Sequence, residues 1–377
     1  MSAKNIGIIG GGQLARMIAL AGYPLGLNFT FLEPAADACA GHLGTHLLGD
    51  YDDIEQLQRL AGQCDVVTYE FENVPESAVT YLSEHTTVHP GARALAVARD
   101  RLREKSLFRE LGLQTPPFKA VDSLAELEQA VAEIGLPAVL KTRTLGYDGK
   151  GQALLRESAD VVAAWESLGG VPLILEGFVH FEREISIIAA RRPSGEVRFY
   201  PLAENEHREG ILRVSRCRAG DPMQAKAEQY VRAVLEALDY VGVVALELFQ
   251  AGDELLINEM APRVHNSGHW TIEGAAVSQF ENHLRAILDL PLGDTHAVGH
   301  AAMVNFIGTM PKAEAVLAMS GVHLHDYGKA PRAGRKIGHA TVVADSAEAM
   351  EEAIARLSRY DSEEGIGPAV ESNKAAV

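Results

Sequence analysis

A short apolar run ending in three glycines opens the chain: "NIGIIGGG" at residues 5–12, followed at once by a helical stretch from Gln13 to Ala21. A second apolar run, "NFTFLEP", comes next, then "CDVVTYEFENV", a helix near Pro75 to Ser83, and the short run "TVHPG". Parallel strands need crossover connections where antiparallel ones can use a tight turn. Strand-like runs separated by helices over the first hundred residues therefore specify a parallel α/β sheet.

The glycines carry a second implication. "GGGQLA", Gly10 to Ala15, fits G-x-G-x-x-G/A between a strand and a helix, and Glu33 closes the next strand, at about the twenty-residue distance of the dinucleotide fingerprint. Glycines let backbone N–H groups approach an anion at a helix N-terminus, without saying which anion. A nicotinamide dinucleotide, another phosphoester and a purely structural turn all stay open on this fragment.

At 377 residues the chain exceeds what one hydrophobic core supports, so two or three domains are expected. A formal charge of -17 argues against non-specific binding to nucleic acid or membrane, and an anionic substrate would need a local basic pocket. No stretch approaches a membrane span, and the N-terminal apolar run is too short and glycine-rich for a signal peptide. A cytoplasmic protein is the expectation. Cys39, Cys64 and Cys217 are widely spaced with no C-x-x-C pair, a pattern of idle thiols, not of a disulfide framework or zinc site.

Further along, residues 93–111 read as one helix closed by Gly112, with Pro116 and Pro117 beyond. "PAVLKT" and "QALLRES" read as paired strands, "VPLILEGFV" as another, and "EREISIIAARRPSGEVRFYPLAE" as a hairpin turned by Pro193-Ser194-Gly195. A helix spans 224–240, and "GVVALELFQAGDELLINEMAPR" is a second hairpin. The C-terminal module ends in a strand and an amphipathic helix, "ATVVADSAEAMEEAIARL".

Two constellations carry chemistry. In the second hairpin, a loop of Gly252-Asp253-Glu254 pairs Ala251 with Leu255, which sets Glu247 opposite Glu259 on one face. Carboxylates on strands usually form a solvated face, but the apolar neighbours here suggest burial, and two buried carboxylates want a cation between them. All-oxygen ligands suit Mg²⁺ carrying nucleotide phosphates, with Asn258 adding a further oxygen. One register slip would spoil the pair. In "KAPRAGRKIGH", residues 329–339, Lys329, Arg332, Arg335 and Lys336 crowd a glycine-bearing turn. The alternatives are a solvated basic loop and a phosphate pocket.

"LKTRTLGYDGKGQALL", residues 140–155, places Lys141 ahead of three glycines, a phosphate-binding composition without the P-loop pattern. Together the motifs "GIIGGGQLARM", "YEFENV", "DRLREKSLFRELGL", "LKTRTLGYDGKGQ", "LEGFV", "INEMAPRVHNSGHWT" and "GRKIGH" resemble the ATP-grasp enzymes, and among them the N5-carboxyaminoimidazole ribonucleotide synthetase family of purine biosynthesis. The resemblance runs roughly from Ile6 to Leu357. Ala15 stands where glycine is expected and Ala333 where proline is common; neither change removes a charged group.

The resemblance implies an α/β and α+β architecture: an ATP-grasp fold with an N-terminal Rossmann-like (pre-ATP-grasp) parallel-sheet domain and a small C-terminal module. The implied division is 1–103 for the Rossmann-like domain, 104–179 for the small ATP-grasp subdomain with its lid, 180–297 for the large one, and 298–377 for the module with the basic turn. ATP would lie near Arg101 and Lys141, beneath a lid of Gly146, Tyr147, Asp148, Gly149, Lys150, Gly151 and Gln152 that closes over the phosphates and excludes water. Glu176, Gly177, Phe178 and Val179 would form the hinge at the adenine, Glu184 would take the ribose hydroxyls, and His207 falls in the same nucleotide site. Glu247 and Glu259 would hold Mg²⁺, with Asn258 beside them.

For the ribonucleotide, the resemblance implies Lys329 and Arg335, with Arg332 and Lys336, at the 5′-phosphate. Gln13 falls at the same substrate, Glu70 or Glu72 at its ribose, and Tyr147 and Asp148 face it. Asp148, Lys150, Arg263 and His269 make up the implied catalytic set, although "HNSGHW" could equally be a structural turn. A homodimer working on small molecules is implied. Rival readings are another ATP-grasp ligase or carboxylase of the purine transformylase or biotin carboxylase type, a NAD-dependent oxidoreductase built on "GGGQLA" and Glu33, and a nucleotide-binding regulator without turnover.

Overall fold

The computed structural model describes residues 4–146 and 150–361. The N-terminal sheet has four parallel strands in the order Thr45–Leu48, Asn28–Glu33, Asn5–Ile9, Val66–Tyr69. All but the edge strand Thr45–Leu48 are largely buried on both faces, as parallel strands under crossover helices are, with Ile6, Ile8, Phe31 and Val67 fully inaccessible. "TVHPG" contributes only a single bridge, Val67 to Val88, and no continuous strand.

The stretch 93–111 is two helices, Ala92–Ala98 and Arg101–Glu110, and not the single helix its periodicity suggests. Asp100 causes the break. Its carboxylate accepts hydrogen bonds from the N–H groups of Leu102 (2.9 Å) and Arg103 (3.3 Å), so it caps a new helix where continuous α geometry would leave those donors to the preceding turn. The same carboxylate holds Arg143 Nε at 3.0 Å, and Arg101 N–H donates to the Arg143 carbonyl. One aspartate thus starts the helix that carries Arg101 and ties it to the strand that carries Lys141.

A second sheet orders Phe118–Val121, Leu173–Gly177, Ala138–Thr142 and Gln152–Leu155 with antiparallel neighbours. "PAVLKT" and "QALLRES" pair as expected, with Lys141 opposite Gln152. The largest sheet begins with the hairpin of Glu254–Ala261 and Gly242–Ala251 and continues through Arg183–Arg191, Leu202–Arg208, Ile211–Arg218, His300–Ile307, Lys336–Ala344 and Val322–Asp326. The pairing of Val214 with Val304 carries it without interruption into the C-terminal module.

The second hairpin has a different loop from the one expected. Ala251 pairs with Glu254, so the turn is the two residues Gly252-Asp253, and that register alone would put Glu247 opposite Asn258. A bulge intervenes: Leu248 pairs with Ile257, Asn258 is the extra residue, and Glu247 meets Glu259 after all. Two one-residue errors in the reading of the loop and the strand cancel. The bulge is anchored from outside the hairpin, with Lys105 Nζ donating to the Asn258 carbonyl at 2.8 Å and Ile257 N–H donating to the Gln114 carbonyl.

Candidate active site

The sheets enclose an open cavity of about 1820 Å³. Of the residues singled out from the sequence, Gln13, Glu70, Glu72, Arg101, Lys141, Gly146, Lys150, Gln152, Glu176, Gly177, Phe178, Val179, Glu184 and His207 line it. So do Glu247, Asn258, Glu259, Arg263, His269, Lys329, Arg332, Arg335 and Lys336. Tyr147, Asp148 and Gly149 lie outside the described residues. Gly151 is off the lining and shapes the base of the loop: its φ is +73°, and a Cβ there would stand 2.7 Å from Thr142 Oγ1. Its carbonyl accepts from Thr142 N–H at 2.8 Å.

At one end Glu176 sits between two lysines, 3.0 Å from Lys141 Nζ and 3.2 Å from Lys105 Nζ. Glu176 is 2% exposed and Lys105 is wholly buried. Burial alone would raise the Glu176 carboxyl, but Lys105, Lys141 and Arg101 outweigh it and hold it at about 2. Its Oε1 is buried with no hydrogen-bond partner among the described residues. A buried acceptor left open costs about 1–3 kcal/mol, and beside the cavity this oxygen is free to accept from a ligand's donor. Lys105, buried behind the cavity lining as a partner of Glu176, is a residue the sequence did not single out. The only signal was its place four positions after Arg101, on the same helix face.

In the middle, each of the facing glutamates has a nitrogen partner. Arg101 Nη1 donates to Glu259 Oε2 at 2.7 Å, and His265 Nε2 stands 3.1 Å from Glu247 Oε1. Burial would raise Glu247, but the hydrogen bond and charge of His265, with His207 and Lys336, hold it at about 2. Asn258 Oδ1 beside them is buried without a partner among the described residues. His207 contacts Glu184 from a bulge in the neighbouring strand. Burial would lower the imidazole, yet Glu184 and Glu247 raise it above its ordinary value. No cluster of three or more His, Cys, Asp or Glu is arranged as a metal cage among the described residues. Two carboxylates and an open amide oxygen nonetheless make a donor set that would fit a magnesium ion taking its other ligands from phosphates and water.

At the far end the glycine loop has a different partner from the one its fingerprint suggests. Gly12 N–H and Ala15 N–H (2.9 Å) both donate to the Glu70 carboxylate, and Gly11 N–H donates to Glu33 Oε2 at 2.9 Å. Glu33 also accepts from Tyr51 Oη at 2.8 Å. The chain's own carboxylates therefore fill the place a dinucleotide's pyrophosphate would take at this helix N-terminus. Gln13, next in sequence, accepts a hydrogen bond from Lys329 Nζ and so joins the glycine loop to the basic turn. Glu72 takes Arg263 Nε at 2.6 Å and holds that guanidinium, partly buried, against the cavity wall.

A methyl group at Gly12 would lie 2.5 Å from Glu70 Oε1, so Gly12→Ala is expected to displace the carboxylate. The expected result is a raised KM for whatever binds beside Gln13 and Lys329, with binding at the Glu176 end unchanged; steady-state kinetics in each substrate checks it. The three thiols are free, and burial raises each above the usual thiol range, which leaves them without a nucleophilic role.

This architecture defines an ATP-grasp protein: a pre-ATP-grasp sheet followed by two sheets that close on a cavity with lysines at one wall and a carboxylate hairpin at the other. Family models agree, matching the ribonucleotide synthetase preATP-grasp domain over residues 3–99, the ATP-grasp domain over 106–280 and the phosphoribosylaminoimidazole carboxylase C-terminal domain over 301–353. The chain is 59% identical to the N5-carboxyaminoimidazole ribonucleotide synthase of Pseudomonas aeruginosa, over 90% of this chain and 94% of that one. It superposes on the crystal structure of N5-carboxyaminoimidazole ribonucleotide synthetase from Thermus thermophilus with a TM-score of 0.91 at 56% identity, covering 96% and 100% of the two chains. The Aspergillus clavatus synthase, solved with ADP and 5-aminoimidazole ribonucleotide, matches at 0.89 and 30% identity over 95% and 98%. The chain belongs to the N5-carboxyaminoimidazole ribonucleotide synthase family.

Proposed function

We propose that this protein is a carbon–nitrogen ligase that uses ATP and bicarbonate to carboxylate 5-aminoimidazole ribonucleotide, giving N5-carboxyaminoimidazole ribonucleotide in purine biosynthesis. The observation that carries it is the continuous cavity that runs from the Glu176–Lys141 end, past the Glu247–Glu259 pair, to the basic turn at 329–336. That order matches a nucleotide, its phosphates and a second phosphorylated substrate laid end to end.

In this reading a bicarbonate oxygen attacks the γ-phosphorus of ATP, the bond to the β-phosphate oxygen breaks, and ADP leaves. The amine of the ribonucleotide takes the carboxyl carbon of the carboxyphosphate, directly or through released CO₂. Phosphate departs and the amine gives up a proton. The side chains act mainly by position and charge. Glu176, with Gly177, Phe178 and Val179, meets the adenine, and its open Oε1 accepts from the amino group. Glu184 takes the ribose hydroxyls beside His207, and Arg101, Lys141 and Lys150 face the phosphates. Glu247, Glu259 and Asn258 would hold Mg²⁺, which neutralises phosphate oxygens when bound. Arg263 sits between Glu72 and the glutamate pair, where carboxyphosphate would form.

Lys329 and Arg335, with Arg332 and Lys336, take the 5′-phosphate, and Gln13 with either Glu70 or Glu72 its ribose side. Tyr147 and Asp148 belong to the same reading, as do a homodimeric state and work in the cytoplasm. Among the described residues no helix is long and apolar enough to cross a membrane. The oxidoreductase reading loses its support once Glu70 and Glu33 occupy the glycine loop.

Arg335→Ala is the test of the phosphate assignment. A charge-assisted hydrogen bond contributes roughly 1.5–3 kcal/mol, so KM for the ribonucleotide is expected to rise by about 10- to 100-fold with KM for ATP nearly unchanged. An equal rise in both would remove the assignment.

A further inference from the structure

After the strand that bears Glu259, the chain turns through Asn266–Gly268 and brings His269 to the cavity wall. Gln279, the first residue of the helix Gln279–Ile287, is wholly buried beside it. Its Oε1 accepts from His265 N–H at 2.9 Å, and its Nε2 donates to the His265 carbonyl at 2.7 Å. A peptide N–H can only donate and a peptide carbonyl can only accept, so these two contacts fix which end of the amide is which. The same Nε2 stands 3.3 Å from His269 Nδ1. Because that amide nitrogen is a donor, Nδ1 is the acceptor, and a neutral ring then carries its proton on Nε2. Neutrality follows from the surroundings: burial, reinforced by His265, His325, Lys336 and Arg263, lowers the imidazole well below its ordinary value. Phe280 and His339 pack against the ring, with centroids 5.4 and 5.0 Å away, and restrict its rotation.

We propose that Gln279 is a positioning residue that locks His269 as the Nε2–H tautomer, so that His269 meets the reacting groups as a hydrogen-bond donor and not as a base. A ring nitrogen that already holds a proton cannot take one from the aminoimidazole amine. It can donate to a carboxyl oxygen of bicarbonate or carboxyphosphate, where negative charge must be held while the C–N bond forms. The amide clamp serves a second purpose, since it ties the backbone of His265, the partner of Glu247, to the same helix start. The substrate named here rests on the carboxylase reading above; the tautomer does not.

The test is ring-¹⁵N correlation spectroscopy on histidine-labelled protein, with His269 assigned by its absence in His269→Asn. The expected spectrum of the unsubstituted protein shows a bare Nδ1 and a protonated Nε2. In Gln279→Glu the carboxylate draws the proton to Nδ1, so the pattern inverts, and kcat falls by roughly 10- to 100-fold, the usual cost of removing such an outer partner, with KM for ATP unchanged. A protonated Nδ1 in the unsubstituted protein overturns the proposal even if the Gln279→Glu variant cannot be purified. So does an inverted pattern with kcat unmoved. If turnover proves to need a different acceptor, the carboxylase reading falls while the spectrum still decides the tautomer.

Discussion

Glu247→Gln is expected to lower kcat by roughly 10²- to 10³-fold, the range seen when one preorganised electrostatic group is removed from a reacting phosphoryl or acyl centre. The substitution keeps size and one acceptor oxygen, and exchanges the charged second oxygen for an amide NH₂ that only donates. That charge is secured in two ways: His265 holds one oxygen at 3.1 Å, and the surrounding cations keep the carboxyl at about 2 against the pull of burial, so it is ionised at every working pH. Glutamine would leave Glu259, already engaged by Arg101, as the only carboxylate of the pair. ADP binding measured without divalent cation should change little, while the Mg²⁺ concentration needed for half-maximal turnover should rise. Unaltered kcat and unaltered Mg²⁺ dependence would remove the pair from the reaction.

Glu176→Leu is expected to cost about 3–5 kcal/mol of stability, because it strands a buried ammonium. Lys105 is fully buried and depends on Glu176 at 3.2 Å, whereas Lys141 retains a route to the cavity. Removing both charges of the inner pair in Glu176→Leu/Lys105→Met should recover much of the loss, since a buried ion pair is often no more stable than an apolar one of similar volume. Calorimetric unfolding of the two single variants and the double variant checks this. A loss below about 1 kcal/mol in Glu176→Leu would mean that water reaches Lys105.

The pH dependence of the same group has a definite sign. Its carboxyl drops from 4.5 to about 2 on folding, so its stabilising contribution is full above pH 4.5 and fades as pH falls through 2. The leucine variant should lack that component of acid unfolding.

Much of this site was legible in the sequence where chemistry and spacing act together. Composition marked the segment around Lys141 and the run at 329–336, both of which line the cavity, but the choice between a solvated loop and a phosphate pocket came from the family resemblance. Glu247 and Glu259 were paired correctly through a loop one residue too long, because the bulge at Asn258 restores the offset; bulges leave no signature in apolar alternation. The break at Asp100 could have been read from its capping chemistry, but the apolar period continues across it and masks the stop.

The hairpin of Leu202–Arg208 and Ile211–Arg218, which carries His207, went unread because it is charge-rich and turns at Glu209-Gly210. Both turn residues have positive φ, 53° and 72°, as a two-residue hairpin turn of this twist requires. Lys105 was missed because a lysine on a helix defaults to solvent, and only the packing of that helix against the Asn258 bulge buries it. The carboxylate cap on the glycine loop comes from Glu70, 58 positions away from Gly12, a distance at which local pattern carries no information.

The most direct test of the reaction is phosphate release from ATP with Mg²⁺, with bicarbonate and 5-aminoimidazole ribonucleotide omitted in turn. The expected result is release that requires the ribonucleotide and yields its acid-labile N-carboxylated product in step with phosphate. Release that ignores the ribonucleotide and follows another amine or acid would contradict the substrate, and no ATP turnover in any combination would contradict the reaction itself.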